Sequence, residues 1–242
     1  SAVGVSPFRD GRRGMRQQLF LTKLGLRVEK ENDAMRHGTR AEPYARRHYV
    51  QQTNTTVLSA GFLSYASASS SSASSSISQG GDMHSVKQEV GERAWLGGSP
   101  DGIVLSPAGA TAAEGAGMES GGNRVRMLPA ILNGAGILEI KCPSFRPAEN
   151  DPAKNSKYVF QMQALMEMFD LEWADLFVWS LPQRSNSLTT LRVRLVRDRA
   201  FWASMEPHLA VFWWQHVVPA RAALAAARLR DPASDPHSLA LA

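Results

Sequence analysis

The chain has a single cysteine, Cys142, among 242 residues. One thiol closes no disulfide, builds no zinc knuckle and holds no iron–sulfur cluster, so those scaffolds and cofactors are excluded within one chain. A lone thiol fits a reducing, intracellular compartment. Nuclear, organellar and viral settings stay open. Long apolar runs are missing as well: no stretch approaches the roughly 20 residues that a membrane-spanning helix needs. No signal-peptide pattern opens the chain at Ser1, so no membrane partner is expected. Acidic residues are scarce at the N-terminal end. Residues 1–50 hold 11 Lys/Arg against 5 Asp/Glu, a balance of +6, while the remainder holds 16 against 17, or −1. A polyanion such as DNA suits a basic segment of this kind, and a merely solvated basic face is the plain alternative.

What is present suffices for one sizeable core with insertions, or at most two small domains: 43% of residues are apolar. We expect a single domain over 1–230 and a flexible tail over 231–242. Residues 15–30 read as a short helix, with Leu19, Leu24 and Leu26 partly inward. Residues 33–50 read as a second helix whose stripe holds Ala34, Gly38, Glu42, Ala45 and Tyr49. Pro43 costs least there if a fresh turn begins near Thr39, and a kink is the other option. Residues 64–81 are Ser/Ala low complexity, the centre of an insertion over about 64–90 expected to be disordered. Residues 106–135, rich in Gly, Ala and Ser, read as a second loose insertion. Between the two, residues 94–105 read as strand, tight turn, strand.

Residues 156–170 read as a helix with Tyr158, Met162, Leu165 and Phe169 along one packed stripe. Gln161 falls on that packed side and Gln163 points some 200° away from it. A buried strand is expected over 174–180. Over 190–197 a half-buried strand is expected, with Arg192 and Arg194 outward on a solvated face that could also meet DNA. A largely helical, Ala-rich segment over 199–230 carries a break near Pro219. The order of elements implies a mixed α/β (α+β) fold around a central sheet.

The informative stretch is GILEIKCPSF, residues 136–145. On a strand, residues i and i+2 share a face, so Glu139 and Lys141 project together. Opposite charges on a buried strand do little for stability, because desolvation offsets their attraction. A divalent metal gives them a purpose. Glu139 can supply a carboxylate oxygen, the backbone carbonyl of Ile140 another, and Lys141 can hold or polarise a water. Asp101, after Pro100 in a Gly-flanked turn, supplies a second carboxylate if the strand after it pairs with residues 137–141. Mg²⁺ suits such a sparse oxygen set, and would polarise a scissile phosphate.

SPDG followed by LEIKCP resembles the PD-(D/E)xK nuclease signature, here Pro100-Asp101 and Glu139-Ile140-Lys141. Further blocks narrow the resemblance. SAVGVSPFRD (1–10), MRHGTRAEPYARRHY (35–49) and YVFQMQALM (158–166) look like the opening block, the Glu-bearing helix and the glutamine helix of the phage-type exonuclease branch. That branch includes lambda exonuclease and the YqaJ-like viral recombinase nucleases. The likeness runs from residue 1 to about 180, outside both insertions, and implies a restriction-endonuclease-like fold.

This resemblance implies a Mg²⁺-dependent DNA exonuclease, with Mn²⁺ as substitute. It acts on duplex ends, 5′→3′, in recombination or repair. Asp101 and Glu139 are then the metal carboxylates, with the Ile140 carbonyl beside them. Lys141 is the catalytic lysine, Glu42 reaches the metal site through water, and Gln161 positions the lysine or the attacking water. Arg36, Arg40 and Tyr158 are the expected DNA contacts. A single-strand annealing protein is the expected partner, and a homo-oligomer is compatible with the branch. The chain opens inside the family's first block, so the arginine and serine that hold a terminal phosphate are expected upstream.

Plainer readings stand beside these. Glu42 can pair Arg46 one turn on, Asp101 can be a turn residue, Gln161 a surface amide, and Cys142 a small residue leaving a strand. His37 and His48 read as ordinary helix residues, and Trp213-Trp214 as core or oligomer contact. Two rival functions also remain: a single-strand-specific or endonucleolytic member of the superfamily, and a non-catalytic DNA-binding module on the same fold.

Overall fold

The computed structural model describes residues 10–64, 95–115, 129–143, 156–181 and 187–230. It divides into two compact units. Asn32–Trp202 forms one, and the segments on either side of it form the other.

The larger unit is built on a five-stranded mixed sheet, the α/β architecture expected. It opens with helix α2 (Asp33–Thr53), capped by the Asn32 side chain, which accepts from the Met35 amide. The helix runs unbroken through Pro43, so neither the fresh turn nor the kink is needed. Pro43 and Thr39 are both exposed, and water can reach the Thr39 carbonyl that the missing N–H leaves free. Strands β1 (Val57–Leu58), β4 (Gly102–Val104), β5 (Gly136–Lys141), β6 (Trp173–Ser180) and β7 (Thr189–Val196) lie in the order β1-β4-β5-β6-β7. Only β5 and β6 run parallel, and helix α5 (Ser156–Phe169) supplies the crossover that a parallel pair requires.

Alternation on β5 divides its side chains between two layers. Leu138 and Ile140 join Ala45 and Tyr49 of α2, with Val57, Val104 and Phe177, in one core cluster. Ile137, Glu139 and Lys141 therefore face the opposite side, where α5 lies. The buried residues of α5 include Met162, Leu165 and Phe169, as its stripe predicts.

Several expectations are corrected. Residues 97–104 form the expected strand, turn and strand, but the two strands enter different sheets. Strand β3 (Gly97–Gly98) pairs with β2 (Leu63–Ser64) in a separate small sheet, while β4 joins the main one. Gly98 passes so close to α5 that a Cβ there would lie 2.8 Å from Leu165 and Met168, and this packing draws β3 away. The second insertion is partly ordered: α3 (Pro107–Gly115) and α4 (Pro129–Leu132) pack together, burying Ala113 and Ile131. Small residues permit the approach, since a Cβ on Gly109 would meet the Ile131 carbonyl at 2.4 Å. Residues 116–128 and 65–94, the latter holding nearly all of the low-complexity stretch 64–81, lie outside the described residues.

Gln163, expected to point away from the packed side, is buried on another one. It donates to the Val196 carbonyl (2.9 Å) and accepts from the Asp198 amide (2.8 Å), tying α5 to the end of β7. Nor is Arg194 part of a purely solvated face. It forms two hydrogen bonds to buried Asp175 and stacks 3.6 Å over the Trp173 ring.

In the smaller unit, α1 spans Asp10–Lys23, so it starts and ends earlier than the sequence implies. Gly25, at φ +73°, terminates it. Leu26 is buried but Leu19 is exposed. Helix α6 (Arg199–Phe212), which begins in the larger unit, leads into a π-helical turn (Trp213–Val217) and α7 (Val218–Arg230). The irregularity thus falls just ahead of Pro219. No helix among the described residues is long and apolar enough to cross a membrane.

Candidate active site

Strand β4 pairs with β5 only as far as Gly102 opposite Leu138. Beyond that point the strands part, and β5 would be left with an unpaired edge. Asp101 fills the gap: its Oδ2 accepts the Ile140 amide at 2.6 Å, where a backbone carbonyl would otherwise stand. A strand residue's N–H and C=O point to the same edge, so the Ile140 carbonyl faces the Asp101 side as well.

On the α5 face of β5, Lys141 is ion-paired with Glu139 Oε1. Gln161 bridges the two, its Nε2 donating to Glu139 Oε1 at 2.7 Å and its Oε1 lying 3.3 Å from Lys141 Nζ. The charges dictate this amide orientation, with its donor toward the carboxylate and its acceptor toward the ammonium. The Tyr158 ring lies 5.4 Å from Lys141 Nζ, within cation–π range.

Glu139 is 2% exposed. Its Oε1 has two donors, but among the described residues the buried Oε2 has no hydrogen-bond partner. Burial raises the carboxyl from 4.5 to about 7, with Lys141 pulling it down and Asp101 pushing it further up. A buried carboxylate oxygen with no donor is costly. A hard cation would relieve that cost. Glu139 Oε2, Asp101 and the Ile140 carbonyl are the oxygen donors that could hold Mg²⁺ or Mn²⁺. Among the described residues no group of three or more His, Cys, Asp or Glu side chains converges as a metal cage. Two carboxylates and a carbonyl leave most positions of such an ion to water or substrate. Cys142 does not join this set, because burial raises its thiol to about 11 and keeps it protonated.

Glu42 meets this group at its Asp101 end, through Arg46. Glu42 sits on α2, and its Oε1 is 3.3 Å from Arg46 Nη2. The plainer pairing is thus present, while its charge still reaches the Cys142 end of β5. Arg36 is ion-paired with Asp33 and Arg40 is exposed on the same helix. Neither enters the hydrogen bonds of the Glu139 cluster. Two residues escaped the reading of the sequence. Arg46 also donates to the Asp101 backbone carbonyl. Fully buried Asp175 accepts from Tyr49 Oη and from Arg194. A carboxylate inside the apolar run ADLFVWS was the available signal for Asp175.

A YqaJ-like viral recombinase domain matches residues 14–171. The chain belongs to that family. It is therefore a deoxyribonuclease of the phage exonuclease branch that its motifs resemble. Solved structures agree on the fold. An alkaline exonuclease (LHK-Exo) from Laribacter hongkongensis matches with a TM-score of 0.55 and 20% identity, over 92% of this chain and 87% of that one. The same enzyme in complex with dAMP matches at 0.54 and 22%, over 92% and 89%. A phage-related exonuclease from Haemophilus somnus matches at 0.52 and 13%, over 88% and 84%. No curated protein matches the chain.

Proposed function

We propose that this recombinase-family nuclease is a divalent-metal-dependent exonuclease. It hydrolyses phosphodiester bonds from the ends of duplex DNA, 5′→3′, with Mg²⁺ as its metal and Mn²⁺ as substitute. The observation that carries the reading is the partnerless, buried Oε2 of Glu139, set beside Asp101 and a lysine. A bound cation would supply Lewis-acid polarisation of the phosphate and acidify a water. The chain's own residues do the rest. Asp101, Glu139 and the Ile140 carbonyl would hold the ion. Gln161 fixes the Lys141 ammonium, and Lys141 orients the attacking water and offsets charge developing on the phosphate. Tyr158 keeps that ammonium beside an aromatic face. Glu42 acts through water, with Arg46 between it and Asp101. Arg36 and Arg40 on α2 are phosphate contacts.

The similar structures named as alkaline exonucleases support a DNA substrate. One was solved with dAMP, a nucleoside monophosphate of the kind an exonuclease releases. An annealing-protein partner and self-association belong to the same reading.

The test is incubation with end-labelled linear duplex and with closed circular DNA, each with Mg²⁺ and with EDTA. Mg²⁺-dependent loss of the linear duplex alone is expected, with 5′ label released first. Cutting of the circle would replace the exonuclease by an endonuclease. In Lys141→Ala, cleavage should vanish while metal-independent DNA binding persists; retained cleavage would sink the mechanism.

A further inference from the structure

Arg46 lies one turn beyond Glu42 on α2, and its side chain is only 29% exposed. A single guanidinium nitrogen, Nη2, serves two acceptors: Glu42 Oε1 and the backbone carbonyl of Asp101, 55 residues away in the chain. That carbonyl belongs to the peptide linking Asp101 to Gly102. Gly102 opens β4 and is paired with Leu138, so Arg46 grips the chain at the point where the ladder ends and Asp101 leaves it. Both flanks are already fixed. Pro100 is buried, and a Cβ on Gly102 would stand 2.5 Å from Val57. The Asp101 backbone lies between them, one residue outside the ladder, and a shift there would carry its carboxylate off the Ile140 amide.

We propose that Arg46 is a positioning residue for the metal site: it pins the Asp101–Gly102 peptide so that the Asp101 carboxylate stays against Ile140, and it draws Glu42 to the same corner. This rests on the metal-dependent reading above. The sign of the effect separates positioning from simple electrostatics. A guanidinium near a cation site repels the cation, so losing its charge alone should tighten metal binding. Losing the support of a ligating carboxylate should weaken it, by about tenfold or more.

The experiment measures Mn²⁺ binding to the DNA-free protein by electron paramagnetic resonance. It compares wild type with Arg46→Met, Arg46→Lys, Glu139→Gln and the exposed neighbour Arg47→Met. Arg46→Met should bind Mn²⁺ about tenfold more weakly, and Arg46→Lys should fall between it and wild type. Arg47→Met should stay within about twofold of wild type. A second readout needs no metal: in Arg46→Met the Ile140 amide should exchange with solvent faster, while the Leu138 amide keeps its protection. If Arg46→Met does not fold, Arg46→Lys carries both readouts. Unchanged or tighter Mn²⁺ binding with an unchanged Ile140 amide would overturn the proposal. So would a loss confined to DNA affinity, which would make Arg46 a phosphate contact. If wild type binds no Mn²⁺, the metal reading falls and this proposal with it. If wild type binds and Glu139→Gln does not, while Arg46→Met binds normally, only the role of Arg46 falls.

Discussion

Two buried carboxylates stand on neighbouring strands of one sheet, and they are treated in opposite ways. Asp175 on β6 is fully buried and fully answered: Tyr49 Oη donates at 2.7 Å, Arg194 Nε at 2.7 Å and Arg194 Nη2 at 2.8 Å. Glu139 on β5 is almost as buried, yet among the described residues one of its oxygens has no donor. Folded chains rarely leave such an atom unpaired, because the desolvation cost is not recovered. The Asp175 cluster joins α2 to the far strands, as a structural carboxylate should. Glu139 gives up stability for an oxygen that is available to a ligand. Burial alone therefore does not separate the two carboxylates; the unmet hydrogen bond beside a lysine does.

The largest test of this contrast is Glu139→Gln. Cleavage should drop by about 10²–10³-fold or more, while the melting temperature of the metal-free protein at mildly alkaline pH holds or rises. A fall in both would make Glu139 structural, and the contrast would collapse.

The pH dependence comes next. With its carboxyl raised to about 7 from 4.5, chiefly by burial, Glu139 keeps a proton in the folded state that the unfolded chain has released. The folded state then binds more protons across that window, so metal-free stability should fall as pH rises from about 4.5 to 7. The loss is roughly 3 kcal/mol at full ionisation. Urea titrations across that range should show the decline in wild type and not in Glu139→Gln. Apparent Mn²⁺ affinity should run the other way, weakening up to about tenfold for each pH unit below 7, because the proton competes for the same carboxylate.

Asp175→Ala should act on stability and not on chemistry. Breaking a buried pair costs about 3–5 kcal/mol. Here about 2–3 kcal/mol is expected, since the Arg194 side chain is 52% exposed and can rehydrate. Cleavage per folded molecule should stay within about twofold of wild type; a catalytic loss without unfolding would break the comparison from the other side. Tyr49→Phe is the mildest variant. It removes one of three donors and should cost about 1 kcal/mol in urea unfolding. The Tyr49 hydroxyl is held well above its usual range, first by burial and then by the bond and charge of Asp175, so no pH dependence from it is expected near neutrality.

Much of the site was legible because it is local. Glu139 and Lys141 share a face by strand alternation, and Gln161 falls on the packed side of a helix by its period. Asp101 follows a proline at the head of an apolar strand. The helices of residues 107–115 and 129–132 were not legible, because small residues make a segment look loose until a neighbour packs against it. Gln163 and Arg194 were misjudged for a related reason. Periodicity tells which side a residue faces, and not whether another element covers that side.

By itself, then, the sequence determined the repeating patterns: which carboxylate shares a face with which lysine, which stripe of α2 turns inward, and that one thiol can build nothing. The tertiary structure decided what depends on segments far apart in the chain. It brought Asp101 onto the Ile140 amide across 39 residues, Arg46 onto the Asp101 carbonyl across 55, and Tyr49 onto Asp175 across 126. It also set Arg46 between Glu42 and the Asp101 carbonyl. The physical reason is range. Backbone geometry imposes alternation and helical period within a few residues, whereas a hydrogen bond between distant segments exists only once the packed sheet has brought their edges together.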